Sequence, residues 1–206
     1  MSQPVLQFRP IQPSDYPVIE KMIRKAWDYD RFGSSKLADQ LSTVFLSSCL
    51  ANQTFTSVAV LEEKPVGVIM GKNRKKHRPS LRYLMRLGSA VIQSASSKEG
   101  RNIIKTYKEV EKINSALLKH TPVQFDGELS FFVMDEEQRG LGIGKQLYQQ
   151  FLNYAESESL TTFFLYTDTT CNYGFYEHQG LCRLGEEALY LPKLKENIRF
   201  YLYGKI

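Results

Sequence analysis

The segment Arg139-Gly140-Leu141-Gly142-Ile143-Gly144-Lys145 places three glycines at alternate positions. It follows a strand-like run, Glu128 to Met134, and opens a helix-like run, Lys145 to Glu156. Backbone without side chains can approach an anion closely, and the first N–H groups of a helix lack acceptors of their own. The chemistry on offer is therefore the binding of a phosphate-bearing ligand. A Walker loop is excluded, because it would need Gly at 139 and Ser or Thr at 146, where Arg139 and Gln146 stand. A dinucleotide fingerprint fails at its third glycine, where Lys145 stands. A plain tight turn also uses glycine, so the motif alone leaves that reading open.

The elements that must position this turn follow from periodicity. Val5 to Arg9 alternates as a first strand. Pro13-Ser14-Asp15 starts a helix, with Ser14 as its cap, that runs to Trp27 on a stripe of Val18, Met22, Ile23 and Trp27. Lys36 to Leu50 reads as a second helix. Phe55 to Leu61 and Val66 to Met70 read as a hairpin around Glu62-Glu63-Lys64-Pro65. Residues 73–121 are helix-forming, with Gly100 as the break between two helices. Then come a strand from Gly127 to Met134, the glycine turn and its helix, a strand from Thr161 to Thr167, and a short helix from Tyr173 to His178 ended by Gly180. Leu181 to Leu191 and Ile198 to Tyr203 form a closing pair. This order predicts a mixed α/β sheet.

The 206 residues suit one large domain, 1–206, carrying an insertion at 73–121, and the hydrophobic content of 42% is that of a soluble globular protein. No apolar run reaches the roughly 18 residues that would span a bilayer. Met1-Ser2-Gln3-Pro4 lacks the basic start and apolar core of a signal peptide, so none is expected. Cys49, Cys171 and Cys182 have no metal-like spacing, and their odd number points to reduced thiols in a cytoplasm. His77, His120 and His178 have no ligand spacing either, so no metal is expected.

Read as R-x-x-G-x-G, the turn supplies Arg139, Gly142 and Gly144. Downstream, Phe175-Tyr176-Glu177-His178-Gln179-Gly180-Leu181 carries an aromatic-Tyr pair with a glycine four residues later, and one helix and one strand separate the two motifs. From Glu128 to Leu181 the chain resembles the GCN5-related N-acetyltransferase (GNAT) superfamily, and its N-terminal two-helix, two-strand order is similar too. The resemblance implies a mixed, mostly antiparallel acyl-CoA N-acyltransferase sheet flanked by helices, splayed between strands 4 and 5, with a helical insertion between strands 3 and 4. It implies acetyl-CoA as co-substrate. Phe132, Val133 and Met134 would offer backbone groups to the pantetheine arm, and an amide near Val133 or Met134 would donate to the thioester oxygen. Arg139, Gly140, Leu141, Gly142, Ile143 and Gly144 would offer amides to the pyrophosphate, with Lys145 adding charge. Tyr176 would protonate the departing CoA thiolate. The chain departs from the family pattern at Thr169 and Asn172, so Asn172 either takes over a CoA-facing hydrogen bond or caps the short helix.

Acetyl transfer to an amine needs a base, an oxyanion donor and an acid for the thiolate. Glu128 lies 11 residues before Arg139, the interval at which several histone-type members place a catalytic glutamate. On a regular strand it would share a face with Ser130, Phe132 and Met134, and such apolar neighbours suit a base working near neutral pH. Ordered water is the alternative base. The Trp27-Asp28-Tyr29-Asp30-Arg31-Phe32 loop offers aromatic faces and two carboxylates for a cationic substrate. The net charge of +5 is concentrated in Lys72 to Arg86, which carries seven Lys/Arg and no acid. That segment reads as a solvated helical lid, a surface for nucleic acid, acidic protein or an anionic membrane, or a contact for CoA phosphates; it lacks the interleaved aromatics of a base-stacking site, so nucleic acid is the less expected partner. The reading is an N-acetyltransferase acting on a primary amine of a small molecule or peptide. Its alternatives are a non-catalytic acyl-CoA sensor and a basic adaptor for nucleic acid or protein. The oligomeric state, a dimer included, stays open.

Overall fold

Seven strands make one sheet in the order β1-β2-β3-β4-β5-β7-β6. They are β1 (Leu6–Arg9), β2 (Phe55–Leu61), β3 (Lys64–Asn73), β4 (Gly127–Met134), β5 (Phe163–Asp168), β6 (Cys182–Leu191) and β7 (Glu196–Lys205). The computed structural model describes residues 5–192 and 194–206, so the signal-peptide reading of Met1 to Pro4 lies outside the described residues. Every neighbouring pair is antiparallel except β4 with β5, which is parallel. The mixed, mostly antiparallel sheet implied by the resemblance is the one found.

Helices cover both faces. α1 (Tyr16–Ala26) and α2 (Ser35–Ala51) bury Ile19, Ile23, Leu41 and Leu46 against Val58, Val68, Met70, Phe131 and Val133. α5 (Ile143–Ser157) buries Leu147 and Phe151 against Ile69, Leu129, Phe163 and Leu165 on the other face. The insertion is a hairpin of α3 (Leu81–Ala95) and α4 (Lys98–His120), between β3 and β4 as expected. α3 lies along α2, and α4 reaches across to β6 and β7. α6 (Gly174–His178) follows β5.

Several local expectations are corrected. The α1 stripe uses Ile19 where Val18 was expected; Val18 is exposed. Ser14 does not cap α1. Asp15 holds that corner instead: its buried carboxylate accepts the Gln12 amide at 2.8 Å and both guanidinium nitrogens of Arg9 at 2.7 and 2.8 Å. Gly100 does not break the insertion. The break falls at Ser96–Ser97, where the Ser97 hydroxyl accepts the Gly100 amide at 3.0 Å. Gly100 is required because a Cβ there would lie 1.8 Å from the Ser94 carbonyl oxygen. The β2–β3 hairpin turns on Glu62 and Glu63 alone, both left-handed with φ of 49° and 67°. Such a two-residue turn matches the twist of the strands it joins.

The most consequential local feature is a β-bulge in β4. Phe131 pairs with Met70 but Leu129 pairs with Gly71, so Ser130 is an extra residue in the ladder, and its hydroxyl donates to the Met70 carbonyl at 3.2 Å. The extra residue resets the alternation of faces. Glu128 and Ser130 face the α1–α2 side, whereas Phe132 and Met134 face α5. The expectation that all four share one face is therefore wrong beyond Ser130.

Candidate active site

β4 and β5 pair only at Gly127–Phe163 and Glu128–Phe164, and beyond those pairs they diverge. The gap opens at their C-terminal ends, where β4 runs into the glycine turn and β5 into α6. The Asp135 amide donates to the Val66 carbonyl at 2.8 Å, which fixes the parity of the strand edge. Val133, two residues back and in register with Val68, turns its amide to β3 as well. Phe132 and Met134 alternate with it and present their amides to the gap. Of the three strand residues expected to offer backbone groups, Phe132 and Met134 turn theirs to the gap. Val133 does not, because its backbone belongs to the β3 ladder and its side chain is buried in the α1–α2 core.

The turn after β4 is built to expose amides. Asp135 caps a 3-10 turn at Glu136–Gln138, accepting the Glu137 amide at 3.2 Å. Gly140 and Gly142 then take φ of 83° and 75°, a region costly for residues with a Cβ. Nothing stands within 4 Å of where either Cβ would be. The first backbone bond onto the turn from α5 runs from the Gln146 amide to the Gly142 carbonyl at 3.2 Å. The amides of Gly140, Leu141, Gly142, Ile143, Gly144 and Lys145 lie ahead of it with no acceptor among the described residues. Arg139 differs from expectation. Its amide donates to the Glu136 carbonyl at 3.2 Å, and its guanidinium pairs with the Glu136 carboxylate at 3.4 Å. The Lys145 side chain is exposed at the first turn of α5, where the helix dipole already favours an anion.

Tyr176 sits on the α5 side of the gap, packed with Phe132, Tyr148 and Phe175. Its phenol is pushed well above the ordinary tyrosine value, chiefly by burial and further by the neighbouring Cys171, so it stays protonated in the physiological range. Burial also raises Tyr148, to about 12, and raises the Cys171 thiol to about 11, the latter aided by Asp168. Asn172 makes no side-chain cap: the short helix has none, and only the Asn172 backbone carbonyl is used, accepting the Phe175 amide at 3.2 Å.

On the opposite side of the sheet lies a cavity of about 750 Å³ between the sheet, the α1–α2 connection and α4. Glu128 lines it but is not a lone carboxylate among apolar groups. Lys72, its register partner on β3, places its ammonium 2.5 Å away. Asn52 bridges the two, donating to Glu128 at 3.2 Å and accepting from Lys72 at 2.7 Å. Trp27, Tyr29 and Phe32 line the same cavity, whereas Asp28 and Asp30 do not. Asp30 is held outside by Arg24, which also binds Asp39 at 2.6 Å. So the aromatic half of the loop reaches the cavity and the carboxylate half does not.

The basic segment is dispersed by pairing. Lys75 binds Asp126 at 3.0 Å, Lys76 binds Glu158 at 2.8 Å, and Arg86 binds Glu20 at 2.5 Å. Arg74 donates to the Phe125 carbonyl at 2.9 Å. Sequence reasoning missed Lys72 and Asn52 as partners of Glu128, and it missed the Ser130 bulge. The cross-strand register reveals Lys72 and the bulge, and only the packing of the end of α2 brings Asn52 to them.

A sheet splayed at its single parallel pair, with a glycine turn and helix N-terminus on one lip and an aromatic cavity behind the other, defines an acyltransferase architecture. The chain belongs to the acetyltransferase (GNAT) family, whose model matches residues 19–181. No curated protein sequence matches it. Among solved structures it is similar to an N-acetyltransferase from Staphylococcus aureus Mu50 (13% identity, TM-score 0.55, 97% of both chains). It is similar to Ard1 from Thermoplasma volcanium (12% identity, TM-score 0.55, 98% of this chain and 97% of that one). It is also similar to the C-terminal condensation domain of Ebony in complex with beta-alanyl-dopamine (10% identity, TM-score 0.66, 98% of this chain and 99% of that one). At these identities the likeness concerns the fold. Among the described residues no helix is long and apolar enough to cross a membrane.

Proposed function

We propose that this chain, acting as one catalytic unit, transfers an acetyl group from acetyl-CoA to a primary amine. The observation that carries the reading is the gap between β4 and β5. It joins the free amides of 140–145 and the Tyr176 phenol on one side to Glu128 and the cavity on the other. The residues fit the donor. Six consecutive amides without acceptors among the described residues suit a diphosphate, and the gap-facing groups of Phe132 and Met134 suit a pantetheine arm.

In this reading the Met134 or Phe132 amide donates to the thioester oxygen as charge develops on it. The amine enters through the cavity and loses its proton towards Glu128, directly or through water. The neutral Tyr176 phenol donates to the departing sulfur. Lys145, exposed beside the turn, adds charge near the diphosphate, and exposed Asn172 is free to meet the coenzyme. The cytoplasm, with reduced thiols, is the compartment this chemistry suits.

The pairing of Glu128 with Lys72 favours a second reading, an acyl-CoA sensor without acceptor chemistry. Thermal shift with acetyl-CoA, followed by thiol release against a panel of amines, separates them. Acetyl-transfer predicts stabilisation and amine-dependent release that falls in Glu128→Gln and Tyr176→Phe. Stabilisation with no release on any amine supports the sensor. Absence of stabilisation removes both.

A further inference from the structure

α3 packs inside out. Its buried residues are the small ones, Ala90 and Ser94, and its large apolar residues point outward. Leu81, Leu84, Met85 and Ile92 are 71%, 45%, 63% and 74% exposed. Leu81, Met85 and Ile92 recur at helical intervals on one stripe, with exposed Gly88 between them. A surface helix ordinarily turns such a stripe to the core. Contiguous exposed apolar residues of this kind mark an interaction site.

The charge around the stripe has one sign. α3 carries no acid. Arg82 stands exposed beside the stripe, with no hydrogen bond or ion pair among the described residues. Exposed Arg78, just ahead of the helix, donates only to the Lys75 and His77 carbonyls. The second helix of the hairpin continues the pattern. Lys98, Arg101, Lys105, Lys108 and Lys112 recur at alternate intervals of three and four, all exposed and none in an ion pair among the described residues. At about 3.6 residues per turn they lie half a turn from Ile103, Tyr107, Val110 and Asn114, which line the cavity. The cations are therefore the outward face of α4. Glu109 borders them, and Glu111 turns to the cavity. The two stripes meet at the Ser96–Ser97 connection, where Arg101 folds back to donate to the Ala95 and Ser96 carbonyls at 2.8 and 3.4 Å.

We propose that the outer surface of the α3–α4 hairpin docks on an anionic bilayer. The apolar stripe of α3 seats among the headgroups, and the cations of α4 lie over acidic lipids. This goes beyond acetyl transfer and does not rest on it. An apolar stripe gains nothing from the phosphate backbone of a nucleic acid. Tyr83 and Tyr107, the aromatics of the two helices, pack on the core and offer no exposed ring for a base. A second copy of the chain is a poorer occupant. With 15 residues, α3 offers roughly 200 Å², against the ~800 Å² per partner that a stable dimer needs.

The test is co-sedimentation of the full chain with two kinds of vesicle: phosphatidylcholine alone, and phosphatidylcholine with about a third phosphatidylserine. Partitioning onto the acidic vesicles is expected to be ~10-fold stronger, and to fall as salt rises. Lys105→Gln, Lys108→Gln and Lys112→Gln together are expected to weaken it by ~5-fold per charge removed. Met85→Gln with Ile92→Gln is expected to weaken it ~10-fold at constant charge. All five side chains are exposed, so an unchanged Tm shows each variant folded. Equal partitioning onto both vesicles overturns the proposal. So does acidic-vesicle binding that the apolar pair of substitutions leaves intact, which is bare charge adsorption. Duplex DNA bound more tightly than the acidic vesicles, and unmoved by the apolar pair, assigns the surface to nucleic acid. A dimer in light scattering that the apolar pair dissociates assigns it to a second copy. Either result overturns the bilayer as the occupant.

Discussion

The two faces of this sheet share apolar burial and differ in what is added to it. The α5 face is aromatic: Phe151 meets Phe163 edge-on at 4.9 Å, and Phe175 meets Tyr148 at 5.5 Å. The α1–α4 face is pinned by charge, with Arg9–Asp15, Arg86–Glu20 and Lys72–Glu128 tying helices and strands together. Both sides bury an apolar core, and the α1–α4 side adds ion pairs around its cavity. The comparison teaches where specificity can change: a face clamped by separate ion pairs around a cavity can be resculpted, while a close-packed aromatic face that seats a helix N-terminus cannot.

The sharpest way to break this contrast is Tyr176→Phe. On the α5 face it should lower kcat by ~100-fold in a stopped assay while leaving acetyl-CoA affinity within twofold. A drop in affinity equal to the drop in kcat would place the phenol in binding instead. Next, Gly142→Val forces a β-branched residue into the left-handed region, and acetyl-CoA binding by calorimetry should weaken ~30-fold. Unchanged affinity would remove the turn from the coenzyme site. Across the sheet, Glu128→Gln should reduce kcat/KM for the amine ~10-fold and spare acetyl-CoA binding, because Lys72 and Asn52 retain an amide partner. A rate unaffected by that change would hand the base role to water.

The smallest expected effect tests the charge-pinned face by pH. Burial alone would raise Asp15, but the Arg9 guanidinium and the Gln12 amide outweigh it and hold the carboxyl below its ordinary value. A depressed folded pKa stabilises above the unfolded pKa, and that stabilisation is lost as pH falls through the folded value. Asp15→Asn should therefore cost about 1.5 kcal/mol at neutral pH, and the gap in Tm to the native protein should close below about pH 4. A gap that persists at acid pH would show that the carboxylate's charge contributes nothing to that corner.

The α5 face was legible in the sequence because its signals are local. Gly140, Gly142 and Gly144 announce the turn within seven residues, and Phe175-Tyr176 with Gly180 announce α6. The opposite face was not. Lys72 reads as one cation in a basic run until the register sets it against Glu128, 56 positions away. Gly100 reads as a helix breaker until the Ser94 carbonyl is seen to fill the space of its missing Cβ. Alternation along β4 predicts one face for Glu128 and Met134, and only the partner strand shows the count to be broken at Ser130. Pairing between distant segments has no local signature.

That single surplus residue also predicts how the gene tolerates change. Removing the Ser130 codon would close the bulge and leave Leu129 and Phe131 opposite Gly71 and Met70, with Phe132 and Met134 still on the α5 side and Phe131 and Val133 still on the α1–α2 side. Both hydrophobic interiors would survive that in-frame deletion, which takes out only the extra local twist and the Ser130–Met70 bond.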